Sequence, residues 1–189
     1  DLASVLANAL VDGQPMEQLD QISYFIITAT AGHDTTSATI SGGMKALLEH
    51  PEQLEKLRER PELATSAARE MIRWVSPVRH MMRTTTDDIV LRGKSLKAGD
   101  SLCMWYPSAN RDSDAIDNPD TFDIERDNRN QLAFGYGGHM CLGQHLAVLE
   151  VELFFRELLP RLKHIEMAAE PEWVQAIFVG GLKSMPVRY

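Results

Sequence analysis

Phe134-Gly135-Tyr136-Gly137-Gly138-His139-Met140-Cys141-Leu142-Gly143 sets one cysteine in a glycine-rich loop just ahead of an apolar, helix-forming run. Near a helix start, free backbone N–H groups and the helix dipole favour a negatively charged sulfur, the form in which cysteine binds metal. The glycines let a flat ligand lie close to the main chain. His139, two residues before the cysteine, can donate to an anionic group beside such a metal. Taken singly, each residue has a plainer reading. A lone cysteine in an apolar segment is more often a small buried hydrophobe, and the glycines can serve an ordinary turn. Tyr136-Gly137-Gly138 could cradle a phosphate. His139, Cys141 and His145 could be three zinc ligands, although no fourth is evident and the phenylalanine and glycines would go unexplained.

As a set, the pattern Phe-Gly-x-Gly-x-His-x-Cys-x-Gly resembles the haem-binding loop of the cytochrome P-450 family, with about six positions specified. The resemblance implies Cys141 as the thiolate ligand of haem b. It implies Phe134, Gly135, His139, Leu142, Gly143 and Ala147 as further residues against the cofactor.

Bulk properties narrow the alternatives. With 189 residues and 44% hydrophobic content, the chain suits a globular core. A formal net charge of -8 argues against a nucleic-acid-binding surface. Cys103 and Cys141 are the two cysteines, far apart and in no CxxC pattern, so a disulfide framework is not expected and a reducing compartment fits. Cys103, in Leu102-Cys103-Met104-Trp105, reads as a buried, inert thiol. No apolar run is long enough to cross a membrane, and no signal peptide is apparent.

Along the chain, Asp1 to Val11 reads as the tail of a helix ending at Asp12-Gly13. A long helix is expected from about Met16 to Glu49, closed by His50-Pro51. Its centre is unusual, because Thr28, Thr30, Thr35, Thr36, Ser37 and Thr39 crowd around Ala31-Gly32. Threonine and glycine each cost roughly 0.5–1 kcal/mol relative to alanine in a helix, so a local irregularity is expected there. Tyr24, Phe25, Ile26 and Ile27, just upstream, mark this helix as buried. Shorter helices follow over Glu52–Arg60 and Leu63–Trp74, the latter stopped by Ser76-Pro77. Arg79 to Met104 reads as strands with turns at Arg92-Gly93 and Ala98-Gly99-Asp100. A polar, irregular stretch runs from Asn110 to Asn130. An amphipathic helix spans Leu142–Leu159, and the tail suggests a hairpin around Gly180-Gly181.

Three further motifs resemble the same family. Ala31-Gly32-His33-Asp34-Thr35-Thr36 resembles its oxygen-activating segment. Small Ala31 and Gly32 would leave room beside the helix, the Thr35 hydroxyl can both accept and donate a hydrogen bond, and Asp34 can relay protons from solvent. Alone, this reads equally as a mildly polar stretch of surface helix. Glu70-Met71-Ile72-Arg73 puts a carboxylate and a guanidinium on one helical face. Such pairs usually sit in solvent, where they contribute little, but this one resembles the family's Glu-x-x-Arg, which pairs with a later arginine, here Arg126. Arg83 resembles the arginine that binds a haem propionate, with His139 as a second contact. Val78, Phe178 and Val179 fall where the family lines its substrate pocket, and as apolar residues they fit an ordinary core equally well.

The fold implied is mostly α-helical with small β-sheets: a long central helix, the Glu-x-x-Arg helix, the cysteine loop and its following helix. The resemblance covers nearly all of residues 1–189 but only the C-terminal half of the family's usual length. The expectation is therefore the C-terminal part of a catalytic domain without its N-terminal half. The implied activity is monooxygenation of a small hydrophobic substrate, a terpenoid or an aromatic hydrocarbon, in a soluble cytoplasmic protein of bacterial type. Dioxygen is the second substrate, and electrons would come from a ferredoxin, since no flavin or nicotinamide motif is present. The other readings are a haem-binding sensor without turnover, which needs Cys141 but not Asp34 and Thr35, and a structural zinc module.

Overall fold

The computed structural model describes residues 1–189. It begins with a short helix α1 (Leu2–Ala7), capped by the Asp1 carboxylate accepting from the Ser4 N–H at 2.7 Å. The expected helix to Val11 is not found. Leu10–Val11 (β1) and Gln14–Pro15 (β2) pair instead as a hairpin, with positive φ at both Asp12 and Gly13. An Asp-Gly pair supplies the two left-handed residues that a tight hairpin turn needs, and this overrides the helical pattern.

Helix α2 (Gln18–Glu49) contains 32 residues and runs about 48 Å. It is α-helical throughout, so the irregularity expected around Ala31-Gly32 does not occur. The hydroxyls of Thr30, Thr35, Thr39 and Ser41 donate to carbonyls four residues back, which satisfies them inside the helix. The two halves of α2 have different surroundings. Ala38, Thr39, Gly43, Met44, Ala46 and Leu47 are buried, whereas Tyr24, Phe25, Ile26 and Ile27 are 40–59% exposed. The expectation of a buried helix is therefore corrected at Tyr24, Phe25, Ile26 and Ile27, which stand exposed within residues 1–189.

His50-Pro51 ends α2 and starts α3 (Pro51–Glu59), with proline at the first helical position, where no N–H is needed. A 3-10 turn (Pro61–Leu63) leads into α4 (Ala64–Val75). Ser76 ends α4 in the left-handed conformation (φ 43°), its N–H on Ile72 O and its hydroxyl on Arg73 O. The following Pro77 disfavours continued helix at that residue. Helix α4 lies very close to α2: a Cβ at Gly43 would come within 2.7 Å of Met71 Sδ, and one at Gly42 within 2.7 Å of Val75 Cγ2.

The strands fall where the sequence places them. His80–Thr84 (β3) pairs antiparallel with Ser101–Trp105 (β6), and Ile89–Leu91 (β4) with Lys94–Leu96 (β5). Cys103 is exposed on β6, so the reading of a buried thiol is corrected. A one-turn helix α5 (Tyr106–Ala109) precedes the irregular polar stretch. Helix α6 (Gln144–Leu158) begins two residues later than expected and runs into a 3-10 turn at Leu159–Arg161. In the tail, Glu172–Trp173 (β8) pairs with Leu182–Ser184 (β9), while Glu166–Met167 (β7) pairs with Val187–Arg188 (β10).

Seventeen buried apolar residues form one core, drawn from α2, α3, α4, α6 and the irregular stretch. Leu47, Met71, Ile124 and Val151 are wholly buried there. Truncating a leucine of this kind to alanine typically costs 2–5 kcal/mol. The core thereby fixes α4 between the second half of α2 and α6, which positions everything described next.

Candidate functional site

The cysteine loop is built by its own backbone. Gly135 N–H donates to Leu132 O and Cys141 N–H to Phe134 O, both at 2.8 Å, and a 3-10 turn over Gly137–His139 closes between them. Gly135 (φ 74°) and Gly137 (φ 70°) occupy left-handed backbone regions, which glycine adopts without the penalty other residues meet. Phe134 packs on the core and so ties the loop to it. Gly143 is the N-cap of α6, so the Cys141 thiol stands at the positive end of a 15-residue helix.

This loop has an open, largely apolar face. Cys141 is exposed, Leu142 is 95% exposed and Tyr136 77% exposed, and a Cβ at Gly137 or Gly138 would meet nothing within 4 Å. Ala147 lies half-buried one turn into α6, and His139 is exposed at the loop's edge. A soft sulfur donor, bare glycine backbone, exposed apolar side chains and one imidazole together fit a flat iron porphyrin with acidic substituents. They do not fit zinc, because His139, Cys141 and His145 do not converge into a three-ligand cluster.

A buried polar network lies under the loop. Arg73 donates from Nε and Nη2 to the two Glu70 carboxylate oxygens, each at 2.7 Å, and both side chains are fully buried. Arg73 Nη1 reaches the carbonyls of Asn110 and Pro119 at 2.8 Å. Arg126 Nε completes the set at 3.3 Å from Glu70 Oε1, and its Nη2 donates to Asn118 O and Thr121 O. Removing two charges from water is unfavourable unless nearly every donor and acceptor is matched, and here they are. The structure thus brings Glu70, Arg73 and Arg126 together.

Sequence reasoning missed Asn110 and Ser76. Asn110 Nδ2 donates to Ser76 Oγ (2.8 Å), and Asn110 Oδ1 accepts the Leu132 N–H (2.7 Å) two residues before Phe134. The one available signal was an asparagine directly after a short helix, and that is too common to single out.

The remaining candidates lie on α2 and the strands. Thr35 Oγ1 donates to Ala31 O at 2.6 Å. Asp34 Oδ1 lies 2.7 Å from His33 Nδ1, with both side chains open to solvent. Gly32 has an empty neighbourhood. Val78 and Val179 form a β-bridge, and Arg79 N–H donates to Phe178 O at 2.8 Å, so all three pocket candidates sit side by side. Gly181, two residues further, packs directly on Ala38 of α2, one helical turn beyond Thr35. Arg83 is half-buried on β3, its Nη1 on the Met82 carbonyl rather than on any residue of the cysteine loop.

The family model for cytochrome P450 matches residues 6–178. Cytochrome P450-terp of Pseudomonas sp is 46% identical over 189 residues, covering 100% of this chain and 44% of that protein. Linalool 8-monooxygenase of Pseudomonas putida is 37% identical, covering 99% of this chain and 46% of that protein. Among solved structures, CYP108D1 from Novosphingobium aromaticivorans superposes with a TM-score of 0.94 at 45% identity, over 100% of this chain and 46% of that one. The chain therefore spans less than half the length of each of these relatives.

Proposed function

This chain belongs to the cytochrome P450 family, and from that membership we propose that it is the C-terminal part of the catalytic domain of a haem-thiolate monooxygenase. One atom of dioxygen enters a C–H bond of a small hydrophobic substrate and the other leaves as water, with two electrons drawn from a ferredoxin-type partner. The covered fraction of the relatives, 44–46%, supports the incomplete-domain reading. So do the exposed Tyr24, Phe25, Ile26 and Ile27 of α2, which suit burial against an upstream segment.

Haem, which the family uses, supplies oxygen activation and the oxidation itself when bound, and thiolate ligation favours O–O cleavage. Cys141 is its ligand in this proposal. Phe134, Gly135, Leu142, Gly143, Ala147, Ala31 and Gly32 pack against it, and Arg83 with His139 binds its carboxylates. Glu70, Arg73 and Arg126 hold the loop's foundation in one geometry, so that Cys141 is presented without reorganisation. Thr35 holds and releases a proton at Oγ1, which is parked on Ala31 O when not in use. Asp34, open to water, exchanges protons with solvent and passes them along the helix face.

Val78, Phe178 and Val179 form one wall of an apolar substrate pocket, and excluding water there keeps protons on the Thr35 route. The names of the first two relatives favour a terpenoid, with an aromatic hydrocarbon as the neighbouring choice. No helix is long and apolar enough to cross a membrane, and a cytoplasmic location is part of this proposal.

The observation that carries this reading is the exposed Cys141 thiol, fixed at the start of α6 by the Phe134 carbonyl. Reconstituting the protein with haem and reducing it under carbon monoxide tests it. A strongly red-shifted Soret band that disappears in Cys141→Ser is expected. A stable haem complex that lacks that band would remove Cys141 from its role.

A further inference from the structure

A cavity outside the site described above lies at the far end of α6, about 18 Å along the helix from its N-cap Gly143. Its volume is about 270 Å³. Leu57, Ala64, Phe155 and Leu159, each at most 5% exposed, make an apolar floor where α3, α4 and the end of α6 meet. The charged lining is all of one sign: Arg58, Arg156 and Lys163. No acidic side chain lines the cavity, although the chain as a whole carries a formal net charge of -8.

The three cations are held differently. Arg58 Nη1 donates to Glu55 at 2.7 Å and Arg156 Nη1 to Glu152 at 3.1 Å, and neither glutamate lines the cavity. Lys163, exposed at the rim, forms no ion pair. In a guanidinium, Nε and Nη2 share an edge that can grip a carboxylate with two parallel bonds. Arg73 uses that edge on Glu70, with both bonds at 2.7 Å. On Arg58 the same edge is nearly idle. Its Nη2 reaches the Leu162 carbonyl at 3.3 Å, and its Nε is buried with no acceptor. Leu162 also lines the cavity, so this edge faces the cavity wall. An N–H shut away from water without an acceptor is unfavourable. A carboxylate that displaces the long Leu162 contact would give both Nε and Nη2 a charged partner.

We propose that this cavity is a binding site for a small hydrophobic carboxylate, gripped by the Nε–Nη2 edge of Arg58 with its hydrocarbon part on Leu57, Ala64, Phe155 and Leu159. Lys163 supplies the uncompensated positive charge that draws the anion in. Size limits the ligand. At the packing density of protein interiors the cavity holds about ten non-hydrogen atoms, as in an eight-carbon acid, and a long-chain fatty acid is too large. The site is separate from the one proposed for haem and substrate and does not depend on that reading.

The test uses the haem-loaded whole enzyme with 4-phenylimidazole saturating the iron, so that the haem pocket is closed. Octanoate and octan-1-ol, which share one hydrocarbon chain, are titrated by calorimetry. Octanoate should bind at least about tenfold more tightly than the alcohol and should raise the melting temperature. Arg58→Gln should remove that preference. Arg58→Lys, which keeps the charge but not the two-pronged edge, should lose most of it. Ala64→Leu fills the floor without touching a charge and should weaken both probes. Octanoate binding that disappears when 4-phenylimidazole is present belongs to the haem pocket and overturns the proposal. So does an acid preference that survives Arg58→Gln, or octanoate binding that Ala64→Leu leaves unchanged.

Discussion

Asn110 Oδ1 accepts the Leu132 N–H at 2.7 Å, so the chain entering the cysteine loop hangs from the end of α5. The same side chain donates from Nδ2 to Ser76 Oγ, which in turn donates to the carbonyl of Arg73. One fully buried asparagine thus connects the Glu70–Arg73 pair with the strand of backbone that leads to Cys141. Replacing Asn110 by leucine leaves the Leu132 N–H without a partner, at a cost of about 1–3 kcal/mol, while Ser76 Oγ loses a donor but keeps its own bond to the Arg73 carbonyl. Chemical denaturation should show a loss in that range. The fraction of haem-bound protein with the thiolate signature should fall further than stability alone accounts for, because the register of the loop is loosened.

The Glu70 carboxylate is the hub of the buried network, since it accepts from Arg73, Arg126 and the Asp123 N–H. Glu70→Ala leaves the Arg73 charge buried and uncompensated, a change that typically costs 3–5 kcal/mol. Arg126→Ala should cost less, because Glu70 keeps its bidentate partner and the Arg126 side chain is already 10% exposed. Urea titrations of the two variants should rank them in that order. A larger loss for Arg126→Ala would mean that its bonds to the Asn118 and Thr121 carbonyls, rather than its contact with Glu70, dominate.

Local chemistry was legible in the sequence wherever a short stretch determines it. The cysteine loop, the Glu70–Arg73 spacing, the turn at Arg92-Gly93 and the stop at Ser76-Pro77 all depend on residues within a few positions of one another. Asn110 and Arg79 act across the chain, on Leu132 and beside Gly180 respectively, and no periodicity or spacing marks such contacts. Burial failed for a different reason. Phe25, Ile26 and Ile27 are apolar enough for a core, yet burial needs a covering element, and within residues 1–189 these side chains stand exposed. The expected irregularity at Ala31-Gly32 failed because threonine hydroxyls have a partner inside the helix itself.

Glu125 joins α3 to the irregular stretch, accepting from Lys56 Nζ at 2.9 Å and Arg60 Nη1 at 2.7 Å. Its hydrogen bonds to Lys56 and then Arg60 hold its carboxyl below the usual glutamate value. A carboxyl that is more acidic in the folded state contributes stability above its unfolded value, and that contribution is lost as pH falls through the lowered folded value. Glu125→Gln should therefore be slightly less stable than the parent protein near neutral pH, and the difference should vanish in acid. Thermal melts across an acid titration would show the two curves converging. Because the group is solvent-exposed, raising the salt concentration at neutral pH should narrow the gap as well.

Thr35 is the residue whose proposed role can be separated most cleanly from stability. Its hydroxyl bond to Ala31 O is internal to α2, and the side chain is only half-buried, so Thr35→Ala should melt within about 1 kcal/mol of the parent. Substrate affinity should also hold, since the pocket wall at Val78, Phe178 and Val179 is untouched. What should change is the fate of oxygen. Without a hydroxyl to take and give a proton, product formed per electron pair consumed should drop by on the order of tenfold or more, with hydrogen peroxide making up the difference. Thr35→Ser keeps the hydroxyl and should recover much of the yield. Measuring product, peroxide and reductant in the same reaction distinguishes proton management from a general loss of activity, which would lower all three together. An unchanged product-to-reductant ratio in Thr35→Ala would leave the proton route to Asp34 and solvent alone.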